Sequence, residues 1–104
     1  MGADGFQIEY EGTPRTGETV PILVNVTAPG GKPAALQPDL GAFGHLVVLR
    51  EGDVGYLHIH PEPELSGGKV KFWPAAPGPG TYRMFFDFQV AGAVHTAAWT
   101  VLVS

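Results

Sequence analysis

Gly44-His45-Leu46-Val47-Val48-Leu49-Arg50-Glu51-Gly52-Asp53-Val54-Gly55-Tyr56-Leu57-His58-Ile59-His60 reads as two β-strands folded back on each other at Glu51-Gly52-Asp53. Glycine between β-rich runs marks a hairpin, because it accepts the positive φ of a tight turn. Three of the chain's four histidines fall here. Opposed residues of an antiparallel pair share a face. With a two-residue loop at Gly52-Asp53, Val47 opposes His58 and His45 opposes His60. With the loop at Glu51-Gly52, His45 opposes His58. Either way His45, His58 and His60 share one face. A three-residue loop reverses the parity of His45.

The flanking sequence repeats the same theme. Fifteen glycines and ten prolines punctuate the 104 residues, and the runs between them are short and β-prone. Phe6 to Tyr10 alternates apolar with polar, as a half-buried strand does. Thr19 to Thr27 carries its apolar residues at even positions, with Pro21 marking an edge or a strand start. Lys69 to Trp73 is a short strand, with Trp73 and Trp99 expected to fill the core. Thr81 to Val90 sets Tyr82, Met84, Phe86, Phe88 and Val90 on one face, and Arg83, Phe85, Asp87 and Gln89 on the other. Ala91-Gly92 turns the chain into Ala93 to Val103, where His95, Ala97, Trp99, Val101 and Val103 form one row. About seven strands at 8–12-residue spacing, without a helical period, predict one antiparallel immunoglobulin-like β-sandwich domain over 1–104.

Composition narrows the partners. A net charge of −4 argues against nucleic acid or an anionic membrane, both of which need a basic surface. The absence of cysteine excludes disulfides and thiolate metal sites. No apolar run approaches the roughly 20 residues of a transmembrane helix. Met1-Gly2-Ala3-Asp4-Gly5 lacks the features of a signal peptide, leaving a cytosolic protein or a domain separated from its export or anchor segment. No serine falls beside a predicted histidine as a nucleophile would.

His58-Ile59-His60 is the sharpest chemical feature. On a strand, residues i and i+2 lie about 6.8 Å apart and point the same way, so two imidazoles can converge on one ion. His45 shares their face, and His95 lies near the same end of the predicted sandwich. The candidate metal ligands are therefore His45, His58, His60 and His95. A nitrogen donor set suits Cu(II), Zn or Ni, and affinity order favours copper, with zinc as the alternative. Against this stands the common fate of strand histidines, hydrogen-bonded at the core or its rim. Glu62 and Glu64 read as a solvated proline-rich loop, and Met84 as core.

Leu40 to Arg50, followed by Tyr56-Leu57-His58-Ile59-His60-Pro61, resembles a small all-β domain of uncharacterised bacterial proteins of actinobacterial type. Gly80 to Gln89 with Val94 to Ala98 is similar to the same family's closing hairpin, so the resemblance covers about residues 33–103. These proteins are often exported or membrane-anchored and sometimes described as heavy-metal-associated. The resemblance implies an extracytoplasmic setting and a histidine site at His45, His58, His60 and His95. The first reading is a metal-binding module for copper handling or sensing. The second is an immunoglobulin-like structural or interaction domain with incidental histidines. The third is a small metalloenzyme with an open coordination position.

Overall fold

The computed structural model describes residues 2–38, 43–52, 56–59, 61–74 and 76–103, with 56–58 described by their backbone alone. The described residues are all-β and contain no helix. One sheet runs in the order β1 (Gly2–Ala3), β2 (Phe6–Glu11), β3 (Ile22–Thr27) and β6 (Val70–Phe72). The other runs β5 (Tyr56–Ile59), β4 (His45–Arg50), β7 (Gly80–Val90) and β8 (Ala93–Val103). Every pairing is antiparallel. The expected seven strands are joined by the two-residue β1. No helix among the described residues is long and apolar enough to cross a membrane.

Period-2 alternation builds the core between the sheets. Ile8, Ile22, Val24 and Val26 are buried from one side, and Leu46, Val48, Met84, Phe86 and Phe88 from the other. The residues between them point away from the core, as the pleat requires. Aromatic rings close the interior. Phe86 stacks on Phe88 with centroids 5.6 Å apart and meets Phe72 edge-on at 5.9 Å, an arrangement that aromatic quadrupoles favour. Tyr10 stacks on Trp99 at 5.1 Å across the two sheets. The buried indole N–H of Trp99 meets no acceptor among the described residues.

Three expectations shift. β3 begins at Ile22 rather than Thr19, immediately after Pro21, which has no N–H to give a ladder. Trp73 is not core: it lies beyond the end of β6 and is 42% exposed, one step past the fully buried Phe72. Its indole N–H donates to Glu62 Oε1 at 2.7 Å, and Lys71 Nζ sits 4.7 Å from its ring centre. The third shift is at the N-terminus. Ala3 pairs with Phe6 across a two-residue loop, Asp4-Gly5, in which both residues have positive φ (51° and 89°). That is the hairpin turn for which Asp-Gly is among the preferred pairs. The same loop shape recurs at Ala91-Gly92, with φ of 52° and 79°, and sets the register of β7 against β8.

Candidate metal centre

β4 carries the first candidate ligand, His45. It is hydrogen-bonded to β5 on one side and to β7 on the other. Leu46 and Val48 are buried, so His45, Val47 and Leu49 fall on the outer face. Just before the strand, Gly44 is buried on the inner side: a Cβ there would sit 2.5 Å from Phe86 Cε1 and 2.8 Å from Cζ. Glycine at 44 therefore lets the chain enter β4 hard against an aromatic core, and this anchors the residue that follows, His45.

The register between β4 and β5 is Leu46 with Ile59, Val47 with His58, Val48 with Leu57 and Leu49 with Tyr56. Of the two loop registers read from the sequence, this is the one centred on Gly52-Asp53. It has the parity that puts position 58 on the same side of the sheet as position 45. His58 is described by its backbone alone, as is Tyr56, and His60 lies outside the described residues, as do Asp53 and Gly55. On the other flank His45 pairs with Asp87 of β7. Asp87 pairs in turn with Thr96 of β8, whose hydroxyl donates to Asp87 Oδ1 at 2.5 Å. A histidine, a carboxylate and a hydroxyl thus stand in one row across three strands.

His95 takes a different place. It pairs with Phe88, which is buried, so it belongs to the inner face. It lies at the same end of the sheet as His45, one residue along β8 from Thr96, but on the opposite side. Its Nδ1 lies 2.7 Å from Asp4 Oδ2, and its ring centre is 4.8 Å from that of Phe6 and 5.4 Å from that of Phe88. The side chain is 16% exposed. The sheet itself separates this imidazole from His45, so the four-histidine set is not gathered on one surface. The partner of His95 is Asp4, carried by the N-terminal hairpin turn. The sequence signal for it was Asp-Gly between Ala3 and Phe6.

The remaining candidates are accounted for by their packing. Glu62 is tied to Trp73, and its backbone N–H donates to Lys71 O at 2.9 Å. Glu64 is exposed on its loop. Met84 is buried in the core rather than offered to the outer face. A small gap between the sheets, lined by Pro14, Val48, Ile59, Pro74, Tyr82 and Met84, presents no polar surface to a ligand. Among the described residues, no three His, Cys, Asp or Glu side chains are grouped as a metal site.

A family model described as a domain of unknown function, DUF8832, matches residues 1–104, and the chain belongs to that family. No curated protein and no solved structure matches it.

Proposed function

We propose that this protein binds one divalent transition-metal ion on the outer face of the β5-β4-β7-β8 sheet, through His45 with His58 and His60. The observation that carries the reading is the β4–β5 register, Leu46 with Ile59. Its parity is the one under which His45 and the His58-Ile59-His60 pair share a face. Asp87 beside His45 adds a carboxylate of the kind that orients ligating imidazoles and raises their basicity. His95 is left out of the ligand set, because its ring serves the inner face. A thiolate-free nitrogen site favours Cu(II), with zinc second. The role is handling or sensing of the ion outside the cytoplasm, a setting drawn from the family resemblance.

The strand order gives a second reading its own support. Two antiparallel sheets, β1-β2-β3-β6 and β5-β4-β7-β8, make a sandwich-like arrangement, which supports an immunoglobulin-like domain with a structural or interaction role.

Calorimetric titration of metal-free protein with Cu(II) and with Zn(II) separates the two readings. The metal reading predicts one saturable site per chain, tighter for Cu(II). Imidazole must be neutral to ligate, so affinity falls as acid protonates it. An absence of saturable binding at neutral pH would leave the interaction reading standing.

A further inference from the structure

We propose that β8 is a homodimerisation edge, pairing antiparallel with β8 of a second copy about a two-fold axis at Ala98 and joining two four-stranded sheets into one of eight strands. β8 is the outermost strand of its sheet and is eleven residues long, against four for β5 at the opposite edge. Its ladder with β7 is unbroken from Gly80–Val103 to Val90–Ala93, so no bulge bends the edge away. It holds no proline and no Asp, Glu, Lys or Arg, and so lacks the sequence guards against edge pairing. The Asp4-Gly5 turn after β1 reaches β8 from the facing sheet through Asp4 and His95, but β1 itself pairs with β2.

The occupant is argued from the strand's own symmetry. With Ala98 opposite itself, Thr96 faces Thr100 of the second copy and Val94 faces its Leu102. Val94 and Leu102 are the two exposed large hydrophobics of this strand, at 53% and 74%. The pairing covers both, twice. On the inner face it sets Ala97 against Trp99, small against large.

Charge complementarity points to the same register. Arg83 Nη1 donates to Thr100 Oγ1 at 2.9 Å, and Thr96 Oγ1 donates to Asp87 Oδ1 at 2.5 Å. Across the axis, the Thr100 hydroxyl still has its proton to give, and the second copy's Thr96 oxygen still has a lone pair to accept it. The result is a chain of donors in one direction: Arg83 to Thr100, Thr100 to the second copy's Thr96, and that threonine to its Asp87. It runs from a cation to an anion and is repeated on the other side of the axis. Such a chain polarises and strengthens its members. The eleven-residue pair adds about ten backbone hydrogen bonds, close to the number in a typical specific interface.

Sedimentation equilibrium across a concentration series tests this, together with cysteine cross-linking. The parent's mass is expected to rise with concentration from 11.0 kDa to twice that. Leu102→Lys, at an exposed position that folding does not need, is expected to weaken association at least tenfold. The chain has no cysteine, so Ala98→Cys supplies a single thiol placed opposite itself. With oxidised glutathione it should form covalent dimers at least ten times faster than Leu102→Cys. In the proposed pair, the two copies of residue 102 lie eight residues apart along the strands, about 27 Å. A parent that stays monomeric at 1 mM overturns the proposal. So does unchanged association in Leu102→Lys, or equal cross-linking of the two cysteine variants.

Discussion

Replacing Gly44 with valine should destabilise the protein by roughly 3 kcal/mol, at the upper end of what overpacking a core costs. Even the Cβ of the new side chain would lie 2.5 Å from Phe86 Cε1. The Phe86 ring has no room to yield, since Phe72 meets it edge-on and Phe88 stacks against it. The Asp87 carbonyl oxygen, 3.3 Å from the same Cβ position, bars a retreat along the ladder. For a domain of about 100 residues, each kcal/mol moves the melting temperature by about 4–8 °C. Thermal unfolding followed by circular dichroism should therefore show a drop of about 12–24 °C. A drop below about 4 °C would mean that the entry to β4 is looser than this packing implies. Because His45 follows directly, the variant should bind metal more weakly even where it is still folded.

The second large effect concerns binding. His58→Ala together with His60→Ala should weaken Cu(II) binding by at least about a hundredfold, or roughly 2.7 kcal/mol. A structural zinc site with a full ligand set is worth about 10–16 kcal/mol, so the loss of two imidazoles exceeds that threshold. Competitive titration against a chelator of known affinity reads it directly. The proposed outer-face site keeps both substitutions off the core, so the metal-free variant should keep its melting temperature within a few degrees. Unchanged copper affinity would remove the His-X-His pair from the site.

Much of this arrangement was legible in the sequence because alternation is a strong signal where one face is buried. Thr81 to Val90 and Ala93 to Val103 show it over long runs, and both strands occur within a residue of the expected bounds. Trp73 misled because it lies one residue beyond a short strand, where parity has little sequence to support it. β1 went unread because two residues carry no periodicity. Its turn was nonetheless written in Asp4-Gly5.

The placement of His95 is the instructive case. Nearness to one end of the sandwich suggested a shared site, but face and end are separate coordinates. The two-residue loop at Ala91-Gly92 makes Phe88 the partner of His95, and Phe88 belongs to the apolar row. His95 therefore lies on the opposite side of the sheet from His45, which is why the proposed site leaves it out.

The most direct measurement compares His45→Ala with His95→Ala, each titrated with Cu(II) and melted without metal. His45→Ala is predicted to lose at least tenfold in affinity while its metal-free melting temperature barely changes, since its side chain is on the outer face. His95→Ala is predicted to keep its affinity within about twofold. It should lose about 1–2 kcal/mol of stability with its contacts to Phe6, Phe88 and Asp4. The reverse outcome, in which His95→Ala abolishes binding and His45→Ala leaves it intact, would contradict an outer-face site.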